Sequence, residues 1–123
     1  MGQDRYDRQI RLRGFGQAGQ ERLRRARVLV VGAGGLGVPV CLYLNAMGVG
    51  TLGIADGDVI ETSNLHRQPV YRAADVGRKK IDVLSDHLHA QNPLTRIECH
   101  PEFLMPSNAL QILEGYDLVV DAT

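Results

Sequence analysis

The stretch Val28-Leu-Val-Val-Gly-Ala-Gly-Gly-Leu-Gly37 decides the fold of this 123-residue chain. Its first four residues are β-branched or apolar, which predicts a short buried strand. The four glycines that follow predict a turn too tight for side chains and then a helix whose first N–H groups are free to bind a phosphate. The stretch therefore predicts a strand, a turn and a helix that together form a nucleotide site.

A second part of the predicted site lies close behind the glycines. In such folds an acidic residue about 20 positions on, at the end of the next strand, holds the ribose hydroxyls of a nucleotide. Asp56 occupies that position. An NAD site needs the same aspartate, but it does not need the block Ser63-Asn-Leu-His-Arg-Gln68, whose amides and guanidinium are suited to phosphate.

Apolar and helical segments alternate along the chain. Strands are predicted at residues 28–31, 51–55, 95–99 and 117–122, and helices at 36–47, 78–90 and 107–113. The alternation predicts an α/β fold, a Rossmann-like parallel sheet with helices on both faces. Two short helices, at 6–12 and 17–26, precede the sheet, so one domain is expected, with a helical arm (1–27) and a nucleotide-binding unit (28–123).

Net charge and cysteine content indicate which partners and which cellular compartment to expect. The formal net charge is 0, which gives no reason to propose nucleic acid or a membrane as the partner. Residues 1–27 nevertheless carry eight arginines and a net charge of +5, balanced by −5 in the remainder. Cys41 and Cys99 form no C-x-x-C pair, both are expected in the core, and no apolar run opens the chain, so a reducing cytoplasm fits best.

Further motifs accompany the glycine run in a fixed order, and together they resemble the ThiF/MoeB/HesA family, relatives of the ubiquitin-activating enzymes. A lone glycine motif would fit any dinucleotide-binding domain, whereas the ordered set is specific and covers essentially the whole chain. The motifs are Arg5-Tyr-Asp-Arg-Gln-Ile10, Gly14-Phe-Gly16, Gly19-Gln20, Gly48-Val-Gly50, Asp56-Gly-Asp58, Ser63-Asn-Leu-His-Arg-Gln68, Gly77-Arg-Lys-Lys80, Asn92-Pro93 and Asp117-Leu-Val-Val-Asp-Ala-Thr123.

The resemblance implies an enzyme, an ATP-dependent adenylyltransferase. The C-terminal carboxylate of a ubiquitin-like sulfur-carrier protein attacks the α-phosphate of ATP, which gives an acyl-adenylate and pyrophosphate in preparation for sulfur transfer. Such a protein has to seat the triphosphate, neutralise the charge that builds on it, and present the acyl tail in line.

The resemblance also implies the residues of the cofactor site. Gly35 is the first choice for direct phosphate contact and Asp56 for the ribose, while Asp58 either orients its loop or is a solvated strand end. The complete set is Gly32, Gly34, Gly35, Gly37, Asp56, Asp58, Ser63, Asn64, Leu65, His66, Arg67, Gln68 and Lys80.

Three basic residues form the implied catalytic set. Arg67 is assigned to the triphosphate, because a guanidinium presents fixed paired donors and stays charged at any working pH. Lys80 is assigned as the nucleotide-contacting lysine, in preference to Lys79, by alignment on Gly77. Arg8 is expected to reach the nucleotide of the other subunit of a homodimer. The four histidines show no metal-ligand spacing, so no metal ligands are assigned within the chain.

Members of the family continue past Thr123 with Asp-Asn, and that aspartate is the expected Mg²⁺ ligand. The region of the catalytic cysteine and the zinc motif would also lie beyond residue 123, so the chain is expected to be a fragment that is inactive or nearly so alone. Two alternatives stay open. An NAD-dependent oxidoreductase domain explains the glycines and Asp56 but gives Arg67 and Lys80 no role, and a non-catalytic dimerisation half of an activating-enzyme complex needs no ATP site.

Overall fold

The computed structural model of the protein describes residues 2–66 and 70–123, with side chains from residue 4 onward. Its helices and strands alternate after a helical arm, as the sequence predicts. The strands are β1 (Arg27–Val31), β2 (Thr51–Ala55), β3 (Arg96–His100) and β4 (Leu118–Asp121). The helices are α1 (Gly2–Ile10), α2 (Gly16–Arg25), α3 (Gly37–Met47), α4 (Lys80–Gln91) and α5 (Ala109–Leu113), with short 3-10 helices at Thr62–Asn64 and Ala73–Asp75.

Several predicted boundaries are wrong by one to four residues, and local contacts explain two of them. Helix α4 begins two residues later than predicted because Lys79 is extended and forms an antiparallel bridge with Val59. Helix α5 begins after Asn108 rather than at Ser107. The Asn108 side-chain oxygen accepts the N–H of Met105 at 2.7 Å, which closes the turn that leads into the helix.

The sheet is parallel throughout, with the strand order β3-β2-β1-β4. The predicted fold class is confirmed. Strand β1 pairs with β2 on one side and with β4 on the other, so the strand order reverses at β1. In open α/β sheets the crevice beyond the carboxyl ends of the strands at such a reversal is where ligands bind. The glycine turn begins at that place, directly after β1.

Two hydrophobic clusters cover the two faces of the sheet. The larger one packs α3 and α4 on one face and includes Cys41, whose burial raises the pKa of its thiol to about 12. The smaller one packs α5 on the other face against Leu29. The predicted core position of Cys99 is wrong, because β3 is an edge strand and leaves that side chain exposed. Within 2–66 and 70–123, no helix is long and apolar enough to cross a membrane.

Candidate nucleotide-binding site

The turn between β1 and α3 brings backbone segments closer together than side chains would allow. A Cβ on Gly37 would overlap the carbonyl oxygen of Gly32. Gly32 itself has a φ of +110°, and a Cβ there would lie 2.7 Å from the carbonyl oxygen of Ala122 at the end of the neighbouring strand. Gly35 differs, because a Cβ there would meet nothing within 4 Å. Packing of the turn therefore requires Gly32 and Gly37, whereas Gly35 borders open space.

The turn leaves backbone donors without acceptors. The N–H groups of Gly34, Gly35 and Leu36 form no hydrogen bond with the parts of the chain that the structure describes. Further along the chain, the N–H of Val38 donates to the carbonyl oxygen of Gly34 at 3.0 Å. Unbonded N–H groups at the start of a helix, together with the positive end of its dipole, favour an anion such as a phosphate.

Asp56 follows β2 and fixes the other side of the turn. Its Oδ2 accepts the N–H of Ala33 at 2.7 Å, and its Oδ1 accepts the N–H of Asp58 at 2.7 Å. The residue is only 9% exposed. Each carboxylate oxygen has a second acceptor position, so ribose hydroxyls could still donate to it. The predicted ribose ligand is thus also a structural residue of the turn.

A cleft of about 410 Å³ opens at this end of the sheet, within the size range of ligand pockets. Gly34, Gly35 and Asp56 line one part of it, and Phe103 and Leu104 form an apolar wall from the loop after β3. Sequence reasoning missed both wall residues, because an apolar residue in a loop without a motif gives no signal. The wall adds an apolar surface suited to a flat nucleobase beside the polar surface of the turn.

A larger cavity, of about 690 Å³, lies at the opposite end of the sheet beside α1 and α2. Tyr6, Gln20 and Thr95 are among the residues that line it. Within the described ranges, none of the predicted site residues borders this cavity. Size therefore does not identify the site, and the smaller cleft holds the groups that can bind a nucleotide.

Lys80 is buried beside the Asp56–Asp58 segment. Its Nζ lies 3.3 Å from Oδ2 of Asp58, and the exposed fractions of the two side chains are 6% and 48%. The N–H of Lys80 also donates to the carbonyl oxygen of Asp58 at 3.1 Å. Lys79 is exposed. Lys80 therefore contacts the segment after β2, although it is not among the residues that line the cleft.

The three residues after Glu61, Thr62–Asn64, form a short 3-10 helix. Asn64 is 7% exposed, and its side-chain oxygen accepts the N–H of Glu61 at 3.0 Å. Leu65 packs against the larger hydrophobic cluster, while Ser63 and His66 are exposed. Asn64 and Leu65 therefore anchor residues 62–66. Arg67 and Gln68 lie outside the described residues, and their roles stay predictions.

Arg8 is exposed on α1, away from the glycine turn of its own chain. Helix α1 packs near the end of α3, where Gln9 donates from Nε2 to the carbonyl oxygen of Met47 at 2.6 Å. The glycine turn lies at the other end of α3, whose 11 residues span about 16 Å. Within one chain, Arg8 lies apart from the predicted site residues of the glycine turn, which the structure describes.

Tyr71 is a further residue that sequence reasoning missed. It is 3% exposed, and its hydroxyl donates to the carbonyl oxygen of Ala33 at 2.6 Å. Burial, and secondly the neighbouring Asp56, raise the pKa of this hydroxyl well above its usual range. In the sequence, an aromatic residue at this place looks like any other core residue.

Among the residues whose structure is described, no group of three or more His, Cys, Asp and Glu side chains could hold a metal ion. The cleft is lined by backbone donors, one carboxylate and an apolar wall. Lys80, which pairs with Asp58, is a predicted cation of the site that the structure describes. These groups fit a phosphate, a ribose and a base.

Comparisons with known proteins bear on the family and the fold of the chain. The sequence profile described as "ThiF family" matches residues 6–123. The sulfur carrier protein adenylyltransferase of Thermus thermophilus is 57% identical over 120 residues, which cover 98% of this chain and 44% of that protein. The adenylyltransferase and sulfurtransferase uba4 of Aspergillus niger is 48% identical over 119 residues, which cover 97% of this chain and 25% of that protein.

A solved structure extends the comparison to three dimensions. The Escherichia coli tRNA N6-threonylcarbamoyladenosine dehydratase TcdA, in complex with ATP, has a TM-score of 0.90 and 29% sequence identity to this chain. The match covers 98% of this chain and 49% of that one. The chain thus spans less than half the length of each of these proteins.

Proposed function

The chain belongs to the ThiF family, and on that premise we propose that it is the ATP-binding part of an adenylyltransferase that activates a ubiquitin-like sulfur-carrier protein. The observation that carries the proposal is the set of unbonded N–H groups in the glycine turn, which line a cleft together with Asp56. The similarity in fold to a protein solved with ATP supports the choice of nucleotide.

Each group of the cleft then has a task. The N–H groups of Gly34 and Gly35 bind phosphate oxygens, Asp56 accepts the ribose hydroxyls, and the wall of Phe103 and Leu104 packs against the base. When ATP binds, the Lys80 side chain leaves its ion pair with the half-exposed Asp58. It then faces the phosphates, where its positive charge offsets their negative charge. The carboxylate of the carrier attacks the α-phosphorus of ATP, the bond from that phosphorus to the bridging oxygen breaks, and pyrophosphate leaves with its electron pair.

An Arg67→Ala variant should bind ATP more weakly by roughly 1.5–3 kcal/mol, the scale of a lost charge-assisted contact. Folding should be nearly unchanged. Calorimetric titration with ATP and a denaturant melt measure the two quantities. Arg96→Ala is the matched control, since Arg96 is 75% exposed and pairs with Glu98 in β3. If the Arg67 variant and the wild type bind ATP with equal affinity, Arg67 does not contact the nucleotide.

We further propose that the protein is a homodimer in which Arg8 reaches the nucleotide of the partner subunit. Its exposure on α1, remote from the glycine turn of the same chain, supports a role in another subunit's site. Arg8→Ala and Arg67→Ala homodimers should each lose tight ATP binding, because both sites of each dimer are defective.

Mixing Arg8→Ala chains with Arg67→Ala chains should restore tight binding at about one site in four when pairing is random, since half of the dimers regain one intact site. The number of ATP molecules bound per chain in a calorimetric titration measures this recovery. Arg11→Ala alone should leave binding unchanged. A mixture that binds no better than its components would contradict the cross-subunit role.

The remaining parts of the proposal concern groups outside residues 1–123. We assign Mg²⁺ to the bound ATP, with its protein ligand in the family's Asp-Asn pair, and zinc to a more distant C-terminal site.

We further propose that the protein is cytoplasmic, in keeping with its two free cysteines, Cys41 and Cys99.

Exchange of labelled pyrophosphate into ATP tests the activity. The chain of 123 residues should give little or no exchange with a sulfur-carrier protein. Protein extended by the region that the longer relatives possess should exchange label, and only when the carrier's C-terminal carboxylate is present. An extended protein that exchanges no label with any of several carriers would contradict the assignment.

A further inference from the structure

Ala33 lies in the middle of the glycine turn and is held by side chains from two other segments. Its N–H donates to the Asp56 carboxylate at 2.7 Å, and its carbonyl oxygen accepts the hydroxyl of Tyr71 at 2.6 Å. Ala33 is 0% exposed and Tyr71 is 3% exposed, so both bonds are shielded from water. The peptide groups on either side of Ala33 are thus each fixed by a buried hydrogen bond.

These two bonds act on the donors that border the cleft. In a trans peptide group, the carbonyl of one residue and the N–H of the next lie in one plane and point in opposite directions. The carbonyl of Ala33 therefore shares a plane with the N–H of Gly34, which has no acceptor among the described residues. A hydroxyl that fixes the carbonyl also fixes the direction of that N–H.

We infer that Tyr71 is a positioning residue for nucleotide binding, which aims the Gly34 N–H by holding the Ala33 carbonyl. Tyr71 is not part of the cleft lining, so it acts through the turn rather than by touching the ligand. Burial and the nearby Asp56 keep the hydroxyl protonated by raising its pKa, so it donates at any working pH. The inference rests on the proposed function for the identity of the ligand.

Tyr71→Phe removes the hydroxyl and leaves the ring in place. Tyr6→Phe is the matched control, because Tyr6 is 8% exposed and its hydroxyl accepts a hydrogen bond from Nδ2 of Asn92 at 2.8 Å beside the cavity at the opposite end of the sheet. Both variants should melt at lower temperatures than the wild type. Only Tyr71→Phe should bind ATP more weakly, by roughly tenfold in a calorimetric titration.

Amide hydrogen exchange without nucleotide gives a second readout. The Ala33 amide should exchange roughly tenfold faster in Tyr71→Phe than in the wild type, and at the wild-type rate in Tyr6→Phe. Wild-type exchange and wild-type ATP affinity in Tyr71→Phe would overturn the inference. If the wild type itself fails to bind ATP, the proposed function fails, and the exchange rates still decide whether Tyr71 holds the turn.

If Tyr71→Phe does not fold, an NMR measurement on the wild-type protein tests the inference instead. A buried, hydrogen-bonded hydroxyl proton exchanges slowly with water and gives its own NMR signal. Tyr71 should show such a signal, whereas Tyr43, which is 73% exposed, should not. A Tyr71 hydroxyl that exchanges as fast as that of Tyr43 would overturn the inference.

Discussion

Gly37→Ala should strongly destabilise the fold, whereas Gly35→Ala should fold normally and lose tight ATP binding. A Cβ on Gly37 would overlap the carbonyl oxygen of Gly32, so part of the turn backbone has to move. Domains of this size are stable by only about 5–15 kcal/mol. We expect Gly37→Ala to lower the free energy of unfolding by more than about 3 kcal/mol.

Gly35 is the matched case, because the same methyl group would enter open space there. Its φ is not positive, so alanine meets no backbone strain. The free energy of unfolding should stay within about 0.5 kcal/mol of the wild type. The methyl would nevertheless occupy space at the edge of the cleft, where a phosphate has to approach the backbone, and ATP affinity should fall at least roughly tenfold.

Denaturant melts and calorimetric titrations of both variants separate the two roles. A Gly37→Ala protein as stable as the wild type would contradict the geometry of the turn. A Gly35→Ala protein that binds ATP as the wild type does would remove Gly35 as the phosphate contact. The pair therefore distinguishes a glycine that the fold requires from one that the ligand requires.

Asp56→Asn should destabilise the protein by about 2–4 kcal/mol even without nucleotide. Each carboxylate oxygen accepts one backbone N–H, from Ala33 and from Asp58. Asparagine keeps the shape but replaces one oxygen by an NH₂ group, so one of the two backbone donors faces another donor in either orientation of the amide. The remaining bond loses its charge assistance.

Asp86→Asn makes the same chemical change on the surface. Asp86 is 73% exposed and lies 3.5 Å from Arg78. Removing an exposed ion pair of this kind should cost less than about 1 kcal/mol. Free energies of unfolding from denaturant melts compare the two variants. If Asp56→Asn is no more destabilising than Asp86→Asn, Asp56 does not hold the turn.

The stretch Val28–Gly37 was enough to predict β1, the turn and the start of α3, because the conformations open to apolar residues and to glycines in a tight turn depend on near neighbours in the chain. The alternation of strands and helices likewise predicted the parallel sheet. The start of α4 could not be predicted, because the bridge between Val59 and Lys79 joins residues that only the folded chain brings together. Exposure of Cys99 followed from the place of β3 at the sheet edge, which no local pattern records.

In the candidate site too, some features could be predicted from the sequence, whereas others depend on contacts between distant parts of the chain. The place of Asp56 beside the glycine turn could be predicted from its distance from the glycines along the chain, because Asp56 and the glycine turn follow adjacent parallel strands. Tyr71 could not, since its hydrogen bond to Ala33 spans 38 residues and depends on how the intervening segments pack. The pairing of Lys80 with Asp58 is a contact of the same kind, although each residue was predicted singly as a nucleotide contact.

A calorimetric titration of the purified chain with ATP and Mg²⁺, beside a parallel titration with NAD⁺, identifies the nucleotide that the cleft binds. The proposed function requires saturable binding of ATP, and no binding of NAD⁺ is expected, because the cleft has a single apolar wall, which suits one base. Binding of NAD⁺ without binding of ATP would contradict it and would favour a dinucleotide-dependent oxidoreductase.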